Sequence, residues 1–262
     1  MSAKLSTSSN TRAQEFFAGV RDELPILLGT TPFGVIFGVL ALRAGLPQVQ
    51  AQAMSSVIFA GSAQFITAQL LAQSVPAAVI VLTVFVVNLR HALYSASVAP
   101  HIKHLSGLWK VLLAYLLTDE AYAVAITRYN HEGDVRRSDN QIAEVHPTFV
   151  NAHWYFLGAG VTLWVSWQLS TAVGVFIGTQ VSESVRSILD FTLPLTFIAI
   201  VVPGLKDKAS SAAAVCAGIV AVIAFNLDYK LGLIVAAIAG IAAGVAADKL
   251  FQPQSRAHKP GL

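Results

Sequence analysis

A polytopic, all-α bundle of about eight transmembrane helices is the fold class that the sequence predicts. Three observations carry it. Only 12% of the 262 residues are charged and 55% are hydrophobic, where a soluble domain carries about 25% charged residues. Apolar stretches close to the roughly 20 residues that cross a bilayer recur from Leu24 to Ala247. These stretches are long and continuous, unlike the alternating segments of about 10 residues that build a barrel.

Taken in order, the spans fall near 24–42, 53–73, 77–98, 109–129, 149–169, 190–205, 210–227 and 231–248. The segment 170–180, "STAVGVFIGTQ", is apolar but short. It extends the fifth span, re-enters the membrane or lies at the interface, so the count ranges from about seven to nine. Residues 1–23 read as a cytoplasmic N-terminal segment, 24–248 as the transmembrane domain and 249–262 as a cytoplasmic tail. The start, "MSAKLSTSSNTRAQEFF", has no apolar run ending in a small-residue cleavage site, so no cleavable signal peptide is expected. The 130–148 segment carries both signs of charge and reads as a solvated connector.

Basic residues set the orientation. With the N-terminus inside, Lys4, Arg12, Arg21, Arg128, Arg136, Arg137, Lys206, Lys208, Lys249, Arg256 and Lys259 lie on the cytoplasmic side. Arg43, Lys103, Lys110, Arg186 and Lys230 lie outside. The ratio is 11 to 5, with Arg90 left out as intramembrane. Both termini are therefore expected in the cytoplasm. The net charge of +3 and a pI near 9.1 suit basic cytoplasmic loops and need no nucleic acid. Cys216, the single cysteine, sits among small residues and reads as a packing residue. No metal cluster, phosphate loop or nucleotide fingerprint is present, so no cofactor is expected.

One internal echo stands out. "TPFGVIFG" at 31–38 resembles "TAVGVFIG" at 171–178, and Phe59/Phe65 and Phe191/Phe197 follow at matching places. Repeats with a substrate site between them are common in transporters. Gly-xxx-Gly pairs are also a general device for close helix packing. Both readings fit.

Four features can carry chemistry. The first is Asn88, Arg90 and His91, inside the apolar run "VFVVNLRHALY". An arginine at mid-membrane costs on the order of 3 kcal/mol, so it is expected to face the bundle interior and find a partner rather than snorkel. The second is Thr118, Asp119 and Glu120, placed near the middle of the fourth span. Adjacent acids point roughly 100° apart on a helix, so one can pair with Arg90 while the other faces a cavity. A purely structural Arg–acid bridge is the alternative. The third is "FAGSAQF". Gly61, Ser62 and Ala63 interrupt a bulky run, and Gln64 and Gln69 add amides. A break there would expose a half-helix N-terminus that suits a carboxylate; an unbroken small-residue packing face is the alternative. The fourth is the proline set Pro25, Pro32, Pro194 and Pro203, which reads as kinks or as the lining of a cavity. Asp190 and Asp228 read as helix-end residues.

"LPILLGTTPFGVIFG", "FAGSAQF", "NLRHALYSA", "TDEAYA" and "FTLPLTFIA" together resemble the AzlC family, the large subunits of branched-chain amino acid exporters. The resemblance covers roughly 15–250, and the order and spacing of the motifs make it specific. It implies a multi-pass protein of the inner membrane, a separate small membrane subunit of the AzlD type, and valine, leucine, isoleucine or their analogues as substrates. It implies a transporter rather than an enzyme.

The residues suit such a cargo. A zwitterion needs a positive site, a negative site and an apolar pocket. Arg90, with Asn88 and the backbone of Gly61, Ser62 and Gln64, can take the carboxylate. Asp119 or Glu120 can take the ammonium. Phe59, Phe65, Phe33 and Phe37 can surround the branched side chain. With no nucleotide motif, an ion gradient is the expected energy source, and His91, Asp119 and Glu120 are the candidates for proton coupling. Three rivals remain: a passive channel, a membrane subunit without a transport role, and an intramembrane enzyme using Ser62 with His91 or His153.

Overall fold

The computed structural model describes residues 11–138, 151–180, 207–227 and 231–251, with the single positions 198, 202 and 205. Among them every regular element is helical: α1 (Arg12–Arg43), α2 (Gln48–Val57), α3 (Gly61–Ala72), α4 (Ala77–Asn88), α5 (Arg90–Ile102), α6 (Gly107–Tyr115), α7 (Asp119–Ser138), α8 (Ala152–Gln180), α9 (Lys208–Ile223) and α10 (Leu231–Phe251). Among the described residues, three apolar stretches are long enough to cross a bilayer in one piece: Arg12–Arg43, Ala77–Ile102 and Ala152–Gln180. The chain forms two units, Met1–Ala72 with Val87–Gln180, and Gln73–Val86 with Val181–Leu262.

The first unit is organised by α1 and α8. α1 begins at Arg12, well before the apolar pattern starts at 24, because Thr11 and Gln14 form a reciprocal capping box. It then runs without interruption through Pro25 and Pro32 to Arg43. α8 is one helix of 29 residues, so 170–180 extends the fifth span. The two helices run in the same direction, since Gly19 meets Tyr155 and Ala159, Gly34 meets Ser170, and Gly38 meets Thr171 and Val175. From the other side Gly158 meets Phe16, Gly174 meets Val35, and Gly178 meets Val39 and Leu42. The two Thr-x-x-Gly-Val-x-x-Gly segments thus lie against each other in parallel. Glycine is required along this seam because an added Cβ at Gly174 would strike the Val35 carbonyl oxygen. The later half of the echo, Phe191 and Phe197, lies outside the described residues.

Two predicted spans are interrupted. The second is broken at Ile58–Ala60 between α2 and α3; Ile58 leaves helical geometry at φ −108°, ψ 75°. The break reading of "FAGSAQF" is the one the chain adopts. The fourth span is broken at Leu116–Thr118 between α6 and α7. Asp119 and Glu120 therefore lie in the first turn of a new helix, not in the middle of a continuous one. Thr118 causes the restart, accepting the Ala121 backbone N–H on its side-chain oxygen at 3.2 Å. The third span also resets, at Leu89 between α4 and α5, where Ala92 N–H bonds to the Leu89 carbonyl at 3.0 Å in a tightened turn. α7 continues to Ser138, so the first part of the expected 130–148 connector is helical.

In the second unit α9 and α10 pack antiparallel through their small residues: Gly240 meets Ala217 and Ala213, and Gly244 meets Ala213. Asp207 caps α9, accepting the Ser210 backbone N–H at 2.6 Å. Asp190, Pro194, Pro203 and Asp228 lie outside the described residues.

Candidate functional site

The three interruptions meet at one place. Ser62 stands at the start of α3, Arg90 at the start of α5 and Asp119 at the start of α7. Arg90 joins them. One terminal guanidinium nitrogen bonds to the Ser62 hydroxyl oxygen at 2.6 Å and the other to Asp119 Oδ2 at 2.6 Å. Arg90 sits at the centre of the apolar stretch Ala77–Ile102, so it is anchored between helices and not drawn toward a helix end.

The N-termini of α3 and α7, with their partial positive charge, add to the guanidinium, while at Leu89 the backbone stays helical and α4 runs on into α5. Asp119 offsets part of that field from the most favourable position, the first turn of α7. The site is nonetheless incomplete. Arg90 Nε, Asp119 Oδ1 and Asn88 Oδ1 are buried without a hydrogen-bond partner. These are one donor and two acceptors around a single ion pair. The Arg90 and Asp119 side chains retain 30% and 37% of their exposure, so the pair is reachable from outside the packed core.

Tyr94, one turn along α5 from Arg90, lies close to the Asp119 carboxylate. Its ring stacks on Tyr122 at 4.5 Å between centroids, and the Tyr122 hydroxyl donates to Ser97 at 3.0 Å. This aromatic brace ties α5 to the first turns of α7. Sequence reasoning did not single out Tyr94, although "RHALY" puts it four residues from Arg90, on the same helix face.

Gln64 has a different role from the one expected. Its side-chain nitrogen donates to the Ile58 carbonyl at 2.6 Å, and its oxygen accepts from Trp167 Nε1 at 3.0 Å. It is fully buried. The amide closes the backbone gap that the α2–α3 break creates, and it has no group left for a ligand. Tyr115 and Gln168 do the same for the last carbonyls of α2: the Tyr115 hydroxyl donates to Ser56, and Gln168 donates to Ser55 at 3.1 Å. Trp164 in turn donates to the Tyr115 hydroxyl at 2.7 Å. Trp164, Trp167, Gln168 and Thr171 fall three and four residues apart in "WVSWQLST", a spacing that puts them on one helix face.

The aromatic candidates are divided. Phe37 and Phe65 are buried against each other, edge to face at 6.1 Å, and serve as packing between α1 and α3. Phe59 lies beside Tyr115 at 6.1 Å, in the α2–α3 break. Phe33 is half-buried on α1. Gly61 leaves room for the Trp167 ring, which an added Cβ would meet at 3.1 Å. Gln69 is exposed. His91 points its Nδ1 at the Asn88 carbonyl, 3.1 Å away, and His153 packs on Trp109 and Trp154. Neither histidine is hydrogen-bonded to Ser62, whose oxygen is held by Arg90, so the Ser–His arrangement is not formed. Glu120 follows Asp119 in the first turn of α7.

Known proteins place this geometry in a family. The AzlC protein family matches residues 25–181, which contain Ser62, Asn88, Arg90, Asp119 and Glu120. The inner membrane protein YgaZ of Escherichia coli is 28% identical over 87% of this chain and 87% of its own length. An uncharacterized membrane protein of Archaeoglobus fulgidus is 31% identical over 88% of this chain and 95% of its own. The branched-chain amino acid transport protein AzlC of Bacillus subtilis is 26% identical, covering 79% and 76%. No solved structure matches. The chain is a membrane protein of the AzlC family.

Proposed function

We propose that this chain transports amino acids, and specifically that it is the large subunit of a proton-driven exporter of branched-chain amino acids working with a small AzlD-type membrane subunit. The observation that carries the reading is the incomplete ion pair. A zwitterion supplies what Arg90 Nε, Asp119 Oδ1 and Asn88 Oδ1 lack: a carboxylate for the donor and an ammonium for the acceptors. The Arg90–Asp119 pair then acts as a latch that the substrate opens by replacing each partner with its own opposite charge. The N-terminus of α3, opened by the break at Ile58–Ala60, favours the carboxylate. The transport named for the Bacillus subtilis relative supports the branched-chain class.

The test is uptake of labelled valine and leucine into inverted vesicles from cells expressing the chain. Accumulation should need an imposed proton gradient and the small subunit. Equilibration without accumulation would mean a passive channel; no uptake of either amino acid would reject the substrate class; full activity of the chain alone would reject the subunit requirement. The small-residue faces around Ala212–Ala224 and Ala236–Ala247, candidates for contact with that subunit or for packing within this chain, pack on each other through Ala213, Ala217, Gly240 and Gly244.

We also propose cytoplasmic termini in the inner membrane, from the 11 to 5 distribution of basic residues. A C-terminal alkaline phosphatase fusion should be inactive and a C-terminal fluorescent fusion bright. The reverse pattern would overturn the orientation.

A further inference from the structure

α6 enters and α7 leaves at the same end of α8. Trp109, near the start of α6, packs on His153 and Trp154 in the first turn of α8, at 4.7 and 5.0 Å between ring centroids. Tyr129 of α7 donates its hydroxyl to the Ala152 carbonyl at 3.2 Å, in that same turn. The break between them lies deep along α8: Tyr115 accepts from Trp164 Nε1 at 2.7 Å, and Leu116 fills the space beside Gly160. The chain therefore goes in along α6, turns at Leu116–Thr118 and comes back along α7.

α2 and α3 do the same from the other end. α2 begins at Gln48, just after α1 has ended at Arg43. Its last turn reaches Thr171 through Ser55 at 2.9 Å. Past Ile58–Ala60 the chain reverses, and Gln64 of α3 reaches back to the Ile58 carbonyl at 2.6 Å and the Ser55 carbonyl at 3.4 Å. α3 then retraces the path: Gly61 lies against Trp167, level with Gly34 of α1, and Phe65 meets Phe37, nearer the Arg43 end.

Length and burial agree. α2, α3 and α6 have 10, 12 and 9 residues, roughly 14–18 Å at 1.5 Å per residue, about half of a 30 Å hydrocarbon core. Non-helical backbone at that depth must be buried in protein. Phe59, Leu116, Leu117 and Thr118 are buried, and Gln64 and Tyr115 satisfy the open carbonyls of the first turn-back.

Charge points the same way. If 53–73 and 109–129 were both full spans, Lys103 and Lys110 would lie across the membrane from Arg12 and Arg128. If both turn back, the two lysines join the face of Arg12 and Arg128 and no other basic residue changes side. The 11 to 5 distribution becomes 13 to 3, a stronger bias of the kind that sets orientation.

We propose that α2–α3 and α6–α7 are re-entrant hairpins that enter from opposite faces, and that each is the gate of the substrate site toward its own face. Their tips deliver the two partners of Arg90: Ser62 from the hairpin that enters where α1 ends, Asp119 from the hairpin that enters where α1 begins. Drawing back one hairpin frees Arg90 from one partner and leaves it held by the other. The topology stands on packing and charge; the gating rests on the transport reading above.

Single cysteines in the full chain, with Cys216 replaced by alanine, test the hairpins. A membrane-impermeant maleimide is applied to right-side-out and inverted vesicles. Thr11→Cys and Ser106→Cys should label in one vesicle orientation, and Gln48→Cys and Ala72→Cys in the other. Labelling of Ser106→Cys opposite to Thr11→Cys, or of Ala72→Cys opposite to Gln48→Cys, would overturn the proposal. The gate is tested by pinning α2–α3 to α8 through Ser55→Cys with Thr171→Cys, whose parent oxygens lie 2.9 Å apart. Reduced, this double variant should take up valine within about twofold of the parent; oxidised, at least about tenfold more slowly, with recovery on reduction. Failure of the two thiols to join would overturn the packing of the hairpin, and parental uptake by the oxidised protein would overturn the gate. A parent that moves no valine while the labelling pattern holds would count against the amino-acid reading and not against the hairpins.

Discussion

Arg90→Ala should abolish valine transport while the protein still reaches the membrane at a near-normal level. The guanidinium bridges α3, α5 and α7 through Ser62 and Asp119. Without it Asp119 loses its ion-pair partner and the site loses its positive half. Loss of one charge-assisted contact worth about 3 kcal/mol predicts a fall of roughly 100-fold in transport rate. Arg90→Lys should recover little, because an ammonium cannot reach Ser62 and Asp119 at once as two prongs of one planar group. Ser62→Ala should cost far less than either. The measurement is initial uptake in vesicles, normalised to protein by immunoblot. Parental rates for Arg90→Ala would end the assignment of this site.

The second large effect belongs to the glycines of α1 and α8. Gly174→Ala drives a methyl group into the Val35 carbonyl, and Gly38→Ala drives one into Thr171. Neither obstacle is a flexible side-chain end, so the helices must separate. Each change should destabilise the protein by roughly 2–4 kcal/mol, at or above the usual range for overpacking. Gly29→Ala lies on the same helix with nothing near the added carbon and should change stability by no more than about 0.5 kcal/mol. Thermal unfolding in detergent, followed by loss of the monodisperse chromatographic peak, distinguishes the three. Equal behaviour of Gly29 and Gly174 would mean that the seam is not close-packed.

Particular residues show how far the sequence could be read. The helical class follows from composition alone, and the AzlC motifs mark most of the site. Arg90 was legible because a charge in an apolar run demands a partner, and Asp119 was one of two acids available within a span. The break before Gly61 was legible because small residues interrupt a bulky run. The break at Leu116–Thr118 was not, since "YLLTDEAYA" is otherwise made of residues that continue a helix. Its signal was local: a threonine followed by two acids is how a helix begins, even where hydropathy runs on. Glu23 was hidden for the opposite reason. "RDE" at the polar edge of the first span reads as solvated, and only tertiary packing against α1 buries Glu23. Gln64 was correctly singled out as a buried amide, but whether such a group serves a ligand or a broken backbone depends on Trp167, more than a hundred residues away.

The α1–α8 seam limits how this protein can move. Where main chain touches main chain, there is no side-chain slack to absorb displacement. Sliding α1 by one residue along α8 would bring Val20, Val35 or Val39 to positions that admit only hydrogen, so the two helices must travel as a single stiff beam. Compliance is left to the short rods α2, α3 and α6, each of which ends at a break and can tilt about it without breaking a helical turn. Any displacement of Ser62 relative to Arg90 and Asp119 is therefore easier through these breaks than through the α1–α8 seam.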